Sequence, residues 1–343
     1  MKELIVVTGG TGYIGSHTAV ELMEAGYEVL IIDNLVNSRI EVLDGIEKIC
    51  GRRPRFEKLD LCGWPGVENC FGRHPGIRAI IHFAAYKAVP ESVAKPLMYY
   101  ENNLLSLINL LKAMKIHGIR HFVFSSSCTV YGQPDKLPVT ENSPIKKANS
   151  PYGNTKQISE EILEDAIIAG EPLEVVSLRY FNPIGAHPSA HIGELPIGIP
   201  NNLVPFMTQT AAGIREELQV FGDDYNTPDG SAIRDYIDVV DLSRAHVVAI
   251  DRLLKGRNAE KMEVFNLGTG KGLSVFEIIH TFEKATGVKL KYRVVGRREG
   301  DIERVYADTT RANSVLGWKA GTSLEETLRS AWNWEQNLRN QTG

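Results

Sequence analysis

Three side chains in the first half of the chain have the types and spacing of a proton-transfer site. Ser127 closes a run of three serines after a predicted strand, and Tyr152 and Lys156 lie four residues apart. Residues four apart share one face of a helix. An ordinary tyrosine has a pKa of about 10, and a cation about 4 Å away contributes about 4 kcal/mol at an effective dielectric constant of about 20. The pattern therefore predicts that Lys156 lowers the pKa of Tyr152, which acts as a general base while Ser127 relays or orients a substrate hydroxyl.

The N-terminus carries a glycine pattern typical of dinucleotide binding. Gly9, Gly12 and Gly15 follow a predicted strand at 4–7 and open a predicted helix. These glycines allow a tight turn, a close approach of a pyrophosphate and packing of the helix on the strand, and the helix N-terminus attracts the anion. Asp33 ends the next predicted strand, where a carboxylate binds both ribose hydroxyls of NAD and repels the 2′-phosphate of NADP. We therefore expect NAD as the cofactor.

Each of these motifs has a plain structural alternative when it is taken alone. A tyrosine and a lysine four apart can be an exposed helix pair, and a glycine-rich turn can join a strand to a helix without binding a ligand. Their occurrence together, in one strand–helix alternation, favours the catalytic interpretation.

The composition excludes several other classes of protein. The chain has 343 residues, of which 43% are hydrophobic and 23% charged, which excludes a disordered or collagen-like chain. A net charge of −4 gives no basic excess for a nucleic-acid-binding surface. The apolar runs are far shorter than the ~20 residues that span a bilayer, and the first run leads into a glycine turn rather than a cleavage site. We expect neither a nucleic-acid nor a membrane partner.

The cysteines give no sign of disulfides or of a metal centre. Cys50, Cys62, Cys70 and Cys128 form no CxxC pair, and no histidine has a spacing suited to zinc. We expect reduced thiols in a cytoplasmic protein and no metal site.

The elements that must position these residues alternate along the N-terminal half. Short apolar runs predict strands at 4–7, 29–32, 79–83, 122–124 and 173–178, and helical patterns predict helices at 14–25, ending at Gly26, and at 104–114, ending near Gly118. Strands that are apolar on both faces belong to a parallel sheet covered on both sides. The alternation predicts an α/β fold with a doubly wound parallel sheet of the Rossmann type.

After about residue 180 the pattern changes. Residues 181–201 contain four prolines and three glycines, which predicts a long irregular connection of functional importance. Beyond it we predict a helix at 239–254, a strand at 264–267 and a final amphipathic helix at 323–334. We expect an NAD-binding domain over 1–180 and a smaller mixed α/β substrate domain over 181–343, with packing of roughly 236–267 back onto the first domain left open.

Several longer motifs make a resemblance to a known family specific. The segments TGGTGYIGSH, SSSCTVYG and SPYGNTK resemble the extended short-chain dehydrogenase/reductase family. The segments HFAAYKAVPESVAKPLMYYENN, LRYFNPIGAHPS, GIPNNLVPF, DGSAIRDYIDVVDL and RREGD are similar to its UDP-hexose 4-epimerases and extend the match over nearly the whole chain. The resemblance implies NAD-dependent 4-epimerisation of UDP-glucose and UDP-galactose through a transient 4-keto sugar. It also implies a homodimer formed through the helices around 104–114 and 152–169.

The resemblance further implies a set of cofactor contacts beyond Gly9, Gly12, Gly15, Tyr152 and Lys156. They are Tyr13 and Ile14 at the pyrophosphate, Asp33, Asn34, Asn37 and Ser38 at the adenosine ribose, Asp60 and Leu61 at the adenine, and Phe83, Ala84, Ala85, Lys87, Asn102 and Phe181 along the groove. Family members usually carry glycine in place of Ala85 and leucine in place of Tyr86, which leaves the backbone role intact. We treat His82 as a packing residue.

The resemblance implies a nucleotide-sugar site that draws mainly on the second half of the chain. Its residues are Lys87, Ser127, Tyr152, Tyr180 and Asn182 at the sugar or its phosphate, Asn202 and Leu203 at the diphosphate, Phe221 at the uracil, Arg234 and Arg298 at the phosphates, Asp301 at the uridine ribose, and Val305 beside the sugar 2-substituent. Arginine forks suit phosphate oxygens, and an aromatic ring offers a stacking face. The alternatives are a turn or helix cap at Asn202 and a solvated charged loop around Arg298.

Two rival functions follow from the same fold. A nucleotide-sugar 4,6-dehydratase needs an additional acid/base pair, which proteins of that kind carry as Asp-Glu before Val-Tyr-Gly, whereas this chain has Cys128 and Thr129 there. A non-enzymatic NAD-sensing regulator has no need for Tyr152 and Lys156.

The small side chain of Val305 also implies room for an N-acetyl group, and hence activity on UDP-N-acetylglucosamine and UDP-N-acetylgalactosamine, unless Tyr306 closes the same space.

Overall fold

A seven-stranded parallel sheet forms the centre of the protein, in a computed structural model that describes residues 2–298 and 302–342. Its strands are β1 (Leu4–Thr8), β2 (Glu28–Asp33), β3 (Arg55–Lys58), β4 (Ile77–His82), β5 (His121–Ser127), β6 (Glu174–Tyr180) and β11 (Met262–Leu267). Shorter strands outside it are β7 (Asn182–Ile184), β8 (Leu218–Phe221), β9 (Ile233–Arg234), β10 (Tyr236–Asp238), β12 (Leu273–Ser274), β13 (Tyr292–Val295) and β14 (Arg304–Val305).

Helices cover both faces of the sheet and build the rest of the molecule. They are α1 (Tyr13–Glu24), α2 (Val42–Cys50), α3 (Trp64–Arg73), α4 (Val89–Ala94), α5 (Pro96–His117), α6 (Pro151–Ile168), α7 (Leu203–Ala211), α8 (Val239–Leu254), α9 (Val275–Thr286) and α10 (Leu324–Thr342). A 3₁₀ turn (Cys128–Tyr131) and a π-helical turn (Ala312–Leu316) complete them.

The central strands bury both of their faces, as the sequence predicted. In β1, Ile5 and Val7 pack into a core with α1, α2 and α8, whereas Leu4 and Val6 pack into a core with α3, α5 and α6. Successive side chains of a strand point to opposite faces of the sheet, so one apolar run contributes to two cores. The predicted doubly wound fold is confirmed.

The strand order places a crevice at one edge of the sheet. Across the sheet the order is β11-β6-β5-β4-β1-β2-β3, so the direction of winding reverses between β1 and β4. In open α/β sheets the crevice beyond the carboxyl ends of the strands at such a reversal is the usual ligand site. The glycine turn follows β1 at this point, and Phe83 follows β4.

Each element predicted from the sequence is present in the structure, but some bounds differ and several elements were not predicted. The edge strand β3 was not predicted, because its sequence Arg-Phe-Glu-Lys has no apolar run and each of its residues is at least partly exposed. Helix α5 begins at Pro96, well before the predicted residue 104, and α10 continues beyond residue 334 to Thr342. The helix predicted at 239–254 is α8, with the same bounds.

Segments late in the chain join the first sheet. Strand β11 pairs in parallel with β6, and α8 packs on α1 and contacts β5 and β6. Helices α7, α9 and α10 form a separate core together with strand β10, which directly precedes α8. The predicted domain boundary near residue 180 stays a prediction.

In the part of the chain that the structure describes, no helix is both long enough and apolar enough to cross a membrane.

Candidate active site

The glycine turn after β1 has no room for side chains at its key positions. Gly9 has a φ of +68°, and a Cβ there would lie 2.8 Å from the backbone nitrogen of Ala84. A Cβ on Gly15 would lie 2.3 Å from the carbonyl oxygen of Gly9. Gly12 is the N-cap residue of α1 and offers no side-chain acceptor to the first N–H groups of the helix. Because these groups lack acceptors within the helix, the turn fits a bound pyrophosphate.

Asp33 is held in place at the end of β2. Its carboxylate accepts hydrogen bonds from the backbone N–H of Thr11 (3.2 Å) and of Leu35 (2.9 Å) and from the Ser38 hydroxyl (3.1 Å). The hydroxyls of Ser38 and Thr11 are themselves 2.7 Å apart. These bonds join the carboxylate to the glycine turn, where a dinucleotide ribose would lie next to the pyrophosphate.

The other residues predicted near the adenosine lie around the ends of β2 and β3. Asn34 accepts a hydrogen bond from the backbone of Val36 at 3.1 Å, and the exposed Asp60 accepts one from the backbone of Cys62 at 2.9 Å. Asn37 is exposed and Leu61 is buried. Tyr13 leads elsewhere: its hydroxyl donates to the carbonyl of Gly185 at 2.6 Å, which ties α1 to the second half of the chain.

A buried asparagine fixes the loop after β4, where Phe83, Ala84, Ala85 and Lys87 were predicted to line the groove. Asn103 accepts a hydrogen bond from the backbone N–H of Tyr86 (2.8 Å) and donates to the Tyr86 carbonyl (3.1 Å) and the Thr155 hydroxyl (3.1 Å). The neighbouring Asn102, which the resemblance placed at the cofactor groove, donates its amide to Asn103 at 2.9 Å. The only signal for Asn103 in the sequence was a second amide next to Asn102, just before the helix predicted at 104–114.

The predicted proton-transfer residues come together where β5 ends and α6 begins. Ser150 caps α6 by accepting a hydrogen bond from the backbone of Gly153 at 3.1 Å, which places Tyr152 in the first turn and Lys156 one turn later. The Lys156 ammonium donates to the carbonyl of Ser125 at 2.6 Å and lies 4.8 Å from the centre of the Phe124 ring. A buried ammonium in this position has a carbonyl and a ring face as partners.

The pKa values of this pair differ from the simple expectation. Burial lowers the pKa of Lys156 to about 8, with the charge of Glu160 opposing the change. Burial raises the pKa of Tyr152 to about 12, and a hydrogen bond with Ser127 opposes that increase. The sequence predicted a lowered pKa for Tyr152; in the protein chain itself burial outweighs the neighbouring groups.

A buried charge cluster that the sequence analysis missed supports the lysine. Glu160 accepts hydrogen bonds from Ser126 (2.7 Å) and Ser177 (2.7 Å) and forms a two-bonded pair with Arg179. Arg179 also donates to the hydroxyl of Tyr131 at 3.0 Å. The cluster joins α6 to β5 and β6 directly behind the site. The available signal was a glutamate four residues after Lys156, on the same face of a helix.

Residues predicted at the sugar lie close to this group. The Tyr180 hydroxyl forms a hydrogen bond with the Ser125 hydroxyl, and Tyr180 is buried. Phe181 is buried in a cluster with Val305. The backbone of Asn182 donates to the carbonyl of Asp235 at 2.9 Å, which pairs β7 with β10.

Residues predicted at the nucleotide form two further groups. The guanidinium of Arg298 lies 5.1 Å from the centre of the Phe221 ring, and Val305 is the register partner of Arg234 in the pairing of β14 with β9. Asn202 is the N-cap residue of α7 and Leu203 its first residue. Asp301 lies outside the described residues.

The positions that would carry a dehydratase acid/base pair hold neither an acid nor a base. Burial raises the pKa of the Cys128 thiol to about 12, so the thiol is neutral at pH 7. The hydroxyl of Thr129 is buried and makes no hydrogen bond within the described residues. This observation disfavours elimination of water at the site.

One group of potential metal ligands lies elsewhere, although the sequence predicted no metal site. Ligand atoms of Glu57, Cys70 and His74 lie within 4.8 Å of one another. Glu57 accepts hydrogen bonds from Arg73 and from His74, both at 2.8 Å. These bonds occupy both carboxylate oxygens, so the group is already a satisfied polar cluster.

Comparisons with known proteins agree with this geometry. A family model described as GDP-mannose 4,6 dehydratase matches residues 6–331. UDP-glucose 4-epimerase of Bacillus subtilis (strain 168) is 49% identical over 333 residues, which is 97% of this chain and 97% of that protein.

Two solved structures have nearly the same fold. The UDP-glucose-4-epimerase of Stenotrophomonas maltophila, with bound NAD and formylated UDP-arabinopyranose, has a TM-score of 0.95 and 45% identity, covering 99% of this chain and 100% of that chain. The UDP-glucose 4-epimerase of Bifidobacterium longum in complex with NAD⁺ and UDP has a TM-score of 0.94 and 45% identity, covering 98% and 99%. The chain belongs to the UDP-glucose 4-epimerase family, within the broader group that the dehydratase model describes.

Proposed function

We propose that this protein is an NAD-dependent UDP-hexose 4-epimerase that interconverts UDP-glucose and UDP-galactose. The observation that carries the proposal is that the end of β5 and the first turns of α6 bring together Ser127, Tyr152 and Lys156, whose buried ammonium donates to the Ser125 carbonyl at 2.6 Å. Full-length relatives of this family, with NAD in their solved structures, support the same function.

Residues of the glycine turn and of the loop after β4 would hold NAD. Gly9, Gly12 and Gly15 leave space for its pyrophosphate, and Asp33 would accept from its ribose hydroxyls while repelling a 2′-phosphate. When bound, NAD accepts a hydride from C4 of the sugar and later returns it. Since the cofactor is regenerated in each cycle, it needs no exchange between turnovers.

Tyr152 is the group that moves the proton of the sugar 4-hydroxyl. Its phenolate removes this proton as the C4 hydride departs, so C4 and its oxygen become a ketone, and Tyr152 returns the proton in the reverse step. Ser127, at the end of β5, would orient the sugar hydroxyl beside Tyr152. With Lys156 already in place, a pKa of about 12 keeps the phenol protonated at pH 7, so the positive charge of an oxidised nicotinamide would be needed in addition to favour the phenolate.

The nucleotide end of the substrate must be held while the sugar turns. Phe221 offers a ring face to the uracil, and Arg298, whose guanidinium lies 5.1 Å from the centre of that ring, offers a cation to the phosphates. Further hydrogen-bond donors come from Arg234, Asn202 and Leu203. The 4-keto sugar then rotates about its bonds to the diphosphate and presents its other face to the same hydride donor.

Two half-buried helices provide a surface for a second copy of the chain. Leu104 and Ile108 on α5 and Ile158 on α6 are apolar and only partly buried in the single chain. Such a face is best covered by an isologous partner, and we propose a homodimer through α5 and α6. The four cysteines are all free thiols, which supports a reducing, cytoplasmic compartment; fractionation of the source cells tests that location.

The small residue at position 305 supports a broader substrate range. Val305 packs with Phe181, and neighbouring strand residues point to opposite faces. A Cβ added at Gly272 would lie 2.9 Å from the Tyr306 ring, so that ring packs beside Gly272. We therefore propose that UDP-N-acetylglucosamine and UDP-N-acetylgalactosamine are also interconverted.

Removal of the phenol should abolish turnover without unfolding the protein. Tyr152→Phe is expected to lower kcat by at least about 100-fold, because general acid–base catalysis contributes 10²–10⁴-fold, while the NAD content stays unchanged. The assay is conversion of UDP-galactose to UDP-glucose without added reductant. The control is Tyr100→Phe on α5, which removes a hydroxyl that accepts a hydrogen bond from Asn154 on α6, the helix of Tyr152.

Retention of more than about a tenth of the wild-type turnover by Tyr152→Phe would show that another base acts, given those magnitudes. A 4-keto-6-deoxy product from the wild-type protein would indicate a dehydratase. Absence of any conversion would support an NAD-sensing regulator.

The pH profile should report the charge of Lys156. Burial lowers the pKa of this lysine, so its cation is lost as the pH rises through about 8, and wild-type kcat is expected to fall above that pH. Lys156→Met should slow turnover, remove this fall and move the optimum upward, because Tyr152 loses its neighbouring cation. The exposed Lys147→Met is the control, and an unchanged profile in Lys156→Met would contradict the electrostatic role.

A larger side chain at position 305 should narrow the substrate range. Val305→Tyr is expected to eliminate activity on UDP-N-acetylgalactosamine and to leave UDP-galactose conversion near the wild-type rate, because only the acetamide would clash. Val305→Ala should keep both activities. Wild-type protein that converts UDP-galactose but shows no N-acetyl activity would refute the proposal.

A charge in the apolar helix face should separate the subunits. Ile108→Arg is expected to yield monomers in sedimentation velocity, whereas the wild type sediments as a dimer, because an unpaired charge is costly to bury. A monomeric wild type would contradict the proposed dimer.

A further inference from the structure

Glu194 contacts two predicted substrate residues that come from distant parts of the chain. One of its carboxylate oxygens accepts a hydrogen bond from the Asn202 side-chain amide at 2.6 Å and lies 3.5 Å from the Lys87 ammonium. Lys87 belongs to the loop after β4, and Asn202 is the N-cap residue of α7. A single carboxylate therefore bridges the loop beside the cofactor groove and the helix at the nucleotide side.

The backbone around Glu194 is anchored, so this carboxylate is not a freely moving surface group. The indole N–H of Trp334 on α10 donates to the carbonyl of Glu194 at 3.0 Å. At the preceding residue, a Cβ on Gly193 would lie 2.5 Å from atoms of the same indole ring. The Glu194 side chain is 12% exposed, whereas that of Lys87 is 61% exposed. The glutamate is the fixed member of the pair and the lysine is the member that it restrains.

The charge of Glu194 also reaches the start of α1. Burial raises the pKa of Tyr13, and the negative charge of Glu194 adds to this increase. The carboxylate thus lies within electrostatic range of the Tyr13 hydroxyl, which donates to the Gly185 carbonyl at 2.6 Å. An anionic group in that position would repel phosphates unless cationic or donor groups offset it.

We propose that Glu194 is a positioning residue of the nucleotide-sugar site, which holds the Lys87 ammonium and the Asn202 amide across the cleft so that both face the substrate diphosphate. The inference deepens the proposed function and rests on its assignment of Lys87 and Asn202 to the substrate.

The hydrogen-bonding capacities of a carboxylate, an amide and an ammonium explain how Glu194 can orient both Asn202 and Lys87. A carboxylate only accepts hydrogen bonds, so it selects the orientation in which the Asn202 NH₂ group points toward it. That NH₂ group keeps a second N–H, and the ammonium keeps two of its three, for phosphate oxygens. Without Glu194, the Asn202 amide could present its carbonyl oxygen to the diphosphate. The Lys87 side chain would also lose conformational entropy when the substrate binds, whereas in the wild type Glu194 already restrains it.

Two substitutions separate the two contacts. Glu194→Gln retains an oxygen acceptor for Asn202 but removes the ion pair with Lys87, whereas Glu194→Ala removes both. The matched control is Glu174→Gln at the start of β6, whose pair with Lys261 has side-chain exposures of 17% and 61% and a separation of 3.1 Å. Glu174 lies at the amino end of the sheet, opposite the crevice.

The first measurement is calorimetric binding of UDP to the NAD-loaded protein. Glu194→Ala is expected to weaken UDP binding by about tenfold or more, since a hydrogen bond to a charged group is worth about that factor, and Glu194→Gln to weaken it less. Glu174→Gln should bind UDP as the wild type does. Lys87→Met should weaken UDP binding less in the Glu194→Gln background than in the wild type, because both substitutions remove the same ion pair between Lys87 and Glu194.

The second measurement is the kinetic split with UDP-galactose. Glu194→Ala should raise KM and leave kcat within about threefold, because uniform binding is lost while Tyr152, Lys156 and Ser127 are unchanged. Unchanged UDP affinity in both Glu194 variants would overturn the proposal. So would an equal loss in Glu174→Gln, or a fall in kcat with constant KM. A wild type that binds UDP but does not convert UDP-galactose would contradict the proposed function, while the UDP affinities would still report on Glu194.

Discussion

The burial of one cation, Lys156, is the constraint on which the rest of the site depends. A lysine ammonium that is 5% exposed needs partners inside the protein. The Ser125 carbonyl, the face of Phe124 and the charge of Glu160 supply them. Those groups lie on β5 and on α6 itself, so the lysine can be accommodated only where this helix crosses the carboxyl end of this strand. Its position next to Tyr152 is a consequence of the fold.

The same crossing places a network of buried polar groups between α6 and the sheet. Glu160 would itself be an unpaired buried charge without Arg179 on β6 and the hydroxyls of Ser126 and Ser177. This network fixes α6 against two adjacent strands. The glycine turn after β1 and the loop held by Asn103 after β4 lie along the same edge of the sheet. The geometry of the candidate site is therefore built from strand ends, and the side chains that we propose to move protons are supported by a buried polar network behind them.

Sequence reasoning predicted the elements whose physical signal is local. The apolar runs of β1, β2, β4, β5 and β6 and the helical pattern of α8 were visible because a parallel sheet buries both faces of its strands. Strand β3 has no such run and was missed. Asn103, Glu160 and Glu194 were missed for a different reason: their partners are distant in sequence, so only the fold brings them together. The burial that raises the pKa of Tyr152 in the chain alone was not predicted, because a charge pair can be inferred from spacing whereas the cost of burial cannot.

In the proposed reaction, a hydride leaves C4 of the sugar and returns to the same molecule, while Tyr152 moves only the hydroxyl proton. This path of the hydride can be followed in the conversion of UDP-galactose that carries deuterium at C4. We expect UDP-glucose with the deuterium retained at C4, and no isotope exchange at that carbon when unlabelled substrate reacts in heavy water. Loss of the C4 deuterium to solvent, or its appearance in a dehydrated product, would contradict it.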